Sequence, residues 1–205
     1  MSSFKESPEW VLGRATEEIA FALLRHAYVG THQLIPCFLQ EPRAGSRVGP
    51  TLARGACEII TCDILAVPAP RTGDVSGSCE TTRGPVRFEV KHKSAPVYYR
   101  RTQQWRHGID HAHVIDYQAQ DAILLIHEKE SPVDPGDTRN QRLEPRNLWL
   151  AIPIRTAVRI GDRVDYPHRR TARNAGMLVW DRAPMRAVTM GDPSEFSWRS
   201  IGWIW

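Results

Sequence analysis

Glu89 and Lys91 stand two residues apart in Val86-Arg87-Phe88-Glu89-Val90-Lys91-His92-Lys93, and Asp63 interrupts the apolar run Glu58-Ile59-Ile60-Thr61-Cys62-Asp63-Ile64-Leu65-Ala66-Val67. Two carboxylates brought close together repel, and each has its pKa raised unless a cation lies between them. Hard divalent ions prefer oxygen ligands, so the pair asks for Mg²⁺ or Mn²⁺. An ion held by few protein oxygens keeps waters, binds a phosphate oxygen and makes its water more acidic. Lys91 then stands where an ammonium stabilises the attacking group or the charge building on phosphate. Together these parts describe metal-dependent phosphodiester hydrolysis.

The elements that must position these groups are two strands. Side chains alternate between the faces of a strand, so Glu89 and Lys91 project together while Phe88 and Val90 pack on the other side. The β-branched and aliphatic run around Asp63 reads as an interior strand, where a carboxylate is costly without a partner. Pro68-Ala69-Pro70-Arg71-Thr72-Gly73-Asp74 and Gly84-Pro85 are turn material that lets the two strands become sheet neighbours. Upstream, Ala20, Leu23, Leu24 and Ala27 follow helical spacing, with Gly30 as a stop signal.

An acidic residue in one strand followed by Glu-x-Lys in the next resembles the motif of the PD-(D/E)XK nuclease superfamily, matched here by Asp63 and Glu89-Val90-Lys91. The family's leading Pro is absent, and Cys62 takes its place. The helix opening Gly13-Arg14-Ala15-Thr16-Glu17 is similar to that of Holliday-junction resolvases and related enzymes. The resemblance covers about residues 10 to 155. It implies an α/β fold with a restriction-endonuclease-like core, a mixed β-sheet flanked by helices, followed by a C-terminal extension. It also implies that Asp63, Glu89 and the Val90 carbonyl bind the metal, that Lys91 stabilises the water or transition state, and that Glu17, with Glu18 in reserve, assists. Read without the resemblance, Glu89 and Lys91 are a solvated strand face, Asp63 and Lys91 a structural ion pair, and Glu17 an acid favoured by the helix dipole.

The stretch from Ser94 to Tyr117 concentrates aromatic, basic and imidazole groups. Tyr98, Tyr99 and Trp105 are suited to stack on unpaired bases, and Arg100, Arg101 and Arg106 to neutralise phosphates. His107 and His113 join this nucleic-acid surface, and His113-x-x-x-Tyr117 has the spacing to share a helix face. The competing reading makes Ile109, Val114 and Tyr117 the core stripe of that helix. No His-x-x-x-His or Cys-x-x-Cys spacing supports zinc.

The 205 residues, 41% hydrophobic, fit one α/β domain with appendages: a nuclease-like core over 1–155 and an extension over 156–205 packing on the core or a partner. A net charge of +4 suits a polyanion such as DNA without relying on bulk electrostatics. Four cysteines show no disulfide framework, and no signal or membrane-spanning run is present, so a reducing cytoplasm is expected and a membrane is not. Phe196, Trp198, Ile201, Trp203, Ile204 and Trp205 form an apolar terminus that packs in cis or joins a homodimer or protein partner. The alternative function is a non-cleaving nucleic-acid-binding subunit of a larger DNA-processing or defence complex. Loss of a charged motif residue would mark that alternative, and none of Asp63, Glu89 and Lys91 is lost.

Overall fold

The computed structural model describes residues 8–28, 30, 32–37, 52–54, 58–60, 62–68, 85–134, 136, 140–164 and 176–188. The tryptophan-rich terminus lies outside them.

Helix α1 (Pro8–Ala27) begins at a proline, which the first turn tolerates because its missing N–H would be unpaired there. Past its end, Gly30 adopts φ 75°, the left-handed conformation that stops helices. Strands β1 (His32–Pro36), β4 (Ile64–Pro68) and β5 (Val86–Lys93) follow as an antiparallel meander, with β2 (Leu52–Arg54) and β3 (Glu58–Ile60) forming a separate small ladder between them. The expected single strand around Asp63 is therefore two elements, β3 and β4, with Asp63 in a bend between them.

Strand β8 (Ile123–Pro132) lies parallel to β5, so the chain must cross over between them. That crossover carries β6 (Val97–Tyr99), β7 (Gln104–Asp110), a short 3-10 turn (His111–His113) and α2 (Val114–Ala119). Strand β9 (Leu143–Pro153) returns antiparallel to β8 and stops at Pro153, the strand end that proline implies. Helix α3 (Ile154–Ile160), β10 (Asp162–Val164), β11 (Met177–Asp181) and β12 (Arg186–Val188) complete the described chain. The result is an α/β molecule with a six-stranded mixed sheet, order β1-β4-β5-β8-β9-β12, and a four-stranded antiparallel sheet, order β10-β11-β7-β6. Residues past 155 thus supply strands to both sheets.

Period-two alternation on the central strands divides the core in two. Phe88, Val90, Ile123 and Leu125 face α1 and pack against Ala20, Leu24 and Tyr28. Leu124, Ile126, Leu150 and Ile152 face the opposite way, against Tyr117 of α2, Ile154 and Ala157 of α3, and Leu178 and Trp180 of β11. The main sheet is covered on both faces, which is why β8 reads Ile-Leu-Leu-Ile without polar alternation. The second sheet depends on Gly108, where an added Cβ would stand 2.8 Å from Val179 Cγ1 and 2.9 Å from the Leu178 carbonyl.

Candidate active site

Glu89 pairs in register with Leu124, so its side chain projects toward the α2 side of the sheet, as the alternation with Phe88 and Val90 demands. It is 5% exposed. One oxygen, Oε1, accepts hydrogen bonds from Lys91 Nζ at 2.5 Å and from the Tyr117 hydroxyl at 2.7 Å. The other, Oε2, is buried with no hydrogen-bond partner among the described residues. A buried carboxylate oxygen is costly to leave unpaired, which makes this one a candidate ligand oxygen.

Asp63 approaches from the neighbouring strand. Its amide donates to the Phe88 carbonyl at 3.0 Å, and its Oδ2 accepts the Val90 amide at 2.7 Å. The β4–β5 register ends with Ile64 opposite Phe88, and continued one step it places Asp63 opposite Glu89. Because Val90 N–H points to this edge, and N–H and C=O of one strand residue share a side, the Val90 carbonyl looks to the same place. Burial, then the charge of Glu89, pushes the Asp63 carboxyl well above its usual range. Two carboxylates in that condition repel each other, and a cation between them would relieve both.

Burial alone would lower the Lys91 pKa, but Glu89, Tyr117 and Asp63 outweigh it and raise the value, so the ammonium stays charged. It also lies 5.5 Å from the Tyr117 ring centroid. Tyr117 has its own pKa raised by burial and by Glu89, which keeps the phenol protonated as a donor. Glu17 belongs to α1, which packs on the opposite sheet face through Ala20 and Leu24. It pairs with Arg14 at 3.2 Å, and its pKa is raised by burial, with Lys91 and Glu89 both within electrostatic range. Glu18 is exposed.

Among the described residues no three His, Cys, Asp or Glu side chains form a metal cage. The oxygens present still fit Mg²⁺ or Mn²⁺, because Mg²⁺ usually keeps several waters and uses one or two carboxylates. Asp63, Glu89 through its second oxygen, and the Val90 carbonyl are the residues that would supply those oxygens.

The Ser94–Tyr117 stretch differs from its expected form. It is a β-hairpin leading into a short helix, so Ile109 lies on β7 and not on that helix, and four of the expected nucleic-acid contacts, Trp105, Arg106, His107 and Tyr117, are interior. Trp105 is buried edge-on against Tyr98, with ring centroids 5.1 Å apart. Arg106 is held by Asp162 and Asp181, each at 2.9 Å, and lies over the Tyr99 ring. His107 is 3% exposed and donates from Nε2 to Glu128 at 2.7 Å. These groups found acidic and aromatic partners from distant strands, so they do not face solvent. Arg100 and Arg101 remain exposed at the hairpin tip, beside Gln103 at φ 52°. Tyr98 and Tyr99 are half-buried, and His113 is exposed and stacked on Tyr117, centroids 5.8 Å apart. Tyr117 itself serves Glu89 from the buried side.

Two clusters escaped the sequence reading. Glu128 is fully buried and receives His107, both Nε and Nη2 of Arg182, and Ser131. A carboxylate next to Ile-Leu-Leu-Ile was the available signal. His92 and His127, in register on β5 and β8, approach with Nδ1 atoms 3.2 Å apart, and the Thr16 hydroxyl lies 3.3 Å from His92 Nδ1.

Replacing Tyr117 by Phe removes one donor from Glu89 and frees its orientation. On the metal-dependent hydrolysis that the resemblance implies, the expected result is a rise of about tenfold in the Mg²⁺ concentration for half-maximal cleavage, the lower range for loss of an outer partner of a metal ligand. A titration with unchanged half-point would show that Tyr117 packs without positioning.

Compared with known proteins, the chain matches no protein family, no curated protein and no solved structure.

Proposed function

We propose that the chain is a metal-dependent nuclease of the PD-(D/E)XK type with a restriction-endonuclease-like core, hydrolysing phosphodiester bonds in DNA. The observation that carries this reading is the asymmetry of Glu89: one oxygen held by Lys91 and Tyr117, the other buried and without a hydrogen-bond partner among the described residues, with its charge acting on the carboxyl of Asp63. A structural ion pair would have no use for the vacant oxygen or for a second carboxylate that raises its own pKa. The order of parts agrees with the resemblance: a helix with Glu17, a strand opened by Asp63, a strand with Glu89 and Lys91, then a helix with Tyr117.

In this reading Asp63, Glu89 and the Val90 carbonyl hold Mg²⁺ or Mn²⁺. The cation supplies positive charge to a phosphate oxygen and acidifies water. Lys91, kept charged by its neighbours, stabilises negative charge as it develops on the phosphate. Tyr117 keeps Glu89 Oε1 occupied so that Oε2 is the oxygen presented. Glu17, on the helix that packs on the other sheet face and within electrostatic range of Lys91 and Glu89, assists with the water or the cation. Arg100 and Arg101 contact backbone phosphates from the hairpin tip. No helix among the described residues is long and apolar enough to cross a membrane.

The test is incubation of the folded protein with single-stranded, duplex and branched DNA, and with RNA, in Mg²⁺, Mn²⁺ or EDTA. Cutting is expected with either cation and none in EDTA. Lys91→Ala should reduce the rate about a hundred- to a thousandfold, the usual loss when a charge-stabilising donor is removed. Binding without cleavage of any substrate would sink the nuclease in favour of a binding subunit.

A further inference from the structure

His92 and His127 stand level on the parallel strands β5 and β8. By alternation their side chains follow Phe88, Val90 and Leu125 onto the α1 side of the main sheet, opposite to Glu89 and Lys91. Neighbouring strands lie about 4.8 Å apart, so two imidazoles in register must meet. Their Nδ1 atoms are 3.2 Å apart, with ring centroids at 5.3 Å. Thr16 of α1 brings its hydroxyl oxygen to 3.3 Å from His92 Nδ1 and donates its proton to the Leu12 carbonyl at 2.8 Å, so it offers the ring a lone pair. Trp149, opposite His127 on β9, stacks on that ring with centroids 4.8 Å apart and holds its plane. His92 Nε2 has no hydrogen-bond partner among the described residues, so the His92 ring is oriented from its Nδ1 side. Both residues are half-buried, within reach of solvent.

Two ring nitrogens and a hydroxyl oxygen thus converge on one spot, and what sits between them must be positive: a ring proton or a cation. Imidazole nitrogen suits Zn²⁺, Cu²⁺ and Ni²⁺, whereas Mg²⁺ takes oxygen. Two nitrogens bound to a tetrahedral Zn²⁺ at its usual distance stand about 3.3–3.4 Å apart, close to the separation the strands already impose. From this geometry we propose that His92 and His127 bind Zn²⁺ through their Nδ1 atoms, with the Thr16 oxygen beside the ion. The site is separate from the carboxylates on the other sheet face and does not depend on the nuclease reading. Among the described residues no third His, Cys, Asp or Glu joins the pair, so the remaining positions are open to water or an incoming ligand. Lys129, exposed, and Lys93, half-buried, act on His92, and water screens their repulsion of the ion. The ligands are 35 residues apart on two strands, which is why no short sequence spacing announces them.

The experiment titrates the full chain with zinc chloride by calorimetry and repeats the titration on His92→Gln, His127→Gln and Asp63→Asn, each checked for folding by circular dichroism. Zn²⁺ is expected to bind the unmodified chain and Asp63→Asn alike. Each histidine variant should bind it more weakly by more than the roughly tenfold that loss of an outer partner alone causes. Paramagnetic resonance of the unmodified chain loaded with Cu²⁺ needs no substitution and should show hyperfine splitting from two imidazole nitrogens. No Zn²⁺ uptake by the folded chain, binding undiminished in both histidine variants, binding lost only in Asp63→Asn, or Cu²⁺ held by oxygens alone overturns the site and leaves the nuclease reading standing. A chain that binds Zn²⁺ at the pair and cuts no nucleic acid keeps the site and loses the nuclease.

Discussion

Asp63→Asn is expected to give a protein that is more stable at neutral pH and no longer cuts nucleic acid. The wild-type carboxyl is pushed well above its usual pKa by burial and by Glu89. A carboxyl whose folded pKa exceeds its unfolded value favours the fold below the unfolded value, and that contribution is lost as pH rises through the folded one. At neutral pH the charge therefore opposes folding. Asparagine removes the charge and retains an oxygen for the Val90 amide, so the main local hydrogen bond survives. Each kcal/mol relieved raises Tm by about 2–4 °C in a chain of this size. Added Mg²⁺ should raise the wild-type Tm, because a ligand bound only by the folded state stabilises it, and should leave the variant unmoved. Cleavage should fall by more than the roughly hundredfold that even indirect damage to a metal ligand causes. Thermal melts across pH, with and without Mg²⁺, read all of this. A variant that melts lower than wild type, or responds equally to Mg²⁺, would show Asp63 to be a structural carboxylate.

The second large effect lies at Glu128. Burial would raise its pKa, but hydrogen bonds from His107, Arg182 and Ser131 reverse this and hold it down to about 2. Its stabilising contribution is present above the ordinary value of 4.5 and is lost as pH falls toward 2. His107 adds to the acid sensitivity from higher pH. Burial lowers its pKa from 6.5 despite Glu128, so it folds neutral, and acid below 6.5 favours the unfolded, protonated form. Glu128→Ala strands the Arg182 guanidinium and the His107 N–H in the interior. Breaking a buried pair on one side costs about 3–5 kcal/mol. Chemical denaturation at pH 7 should show that loss, and the variant's stability should fall less steeply with acid than the wild type's. A change under about 1 kcal/mol, the range of surface ion pairs, would refute the interior clamp.

How much of this was legible depended on whether a residue's partner lay nearby in sequence. The alternation in Val86–Lys93 was enough to put Glu89 and Lys91 on one face and Phe88 and Val90 on the other, and the structure has them so. The stripe Ala20 and Leu24 located α1 on the core. The bend at Asp63 was not legible, because Thr61-Cys62-Asp63 carries no Gly or Pro and its geometry is set by the Val90 amide across the ladder. Arg106 and His107 resembled phosphate ligands because their acids, Asp162, Asp181 and Glu128, are between 21 and 75 residues away. The i, i+4 relation of His113 and Tyr117 was read correctly as a shared face, yet only tertiary packing could turn the Tyr117 hydroxyl to Glu89.

The crossover between β5 and β8 also fixes an order of assembly. Helix α1 and strands β1, β4 and β5 precede β8 in the chain, so the segments that carry Asp63 and Glu89 are synthesised before the rest of the main sheet. Ile109 of β7 must wait for Leu178 of β11, and Glu128 must wait for Arg182. Such distant pairings are slow to form. Among the described residues the interior acid of β8 is therefore synthesised well before its guanidinium, and the segment that supplies the guanidinium also supplies strands to both sheets.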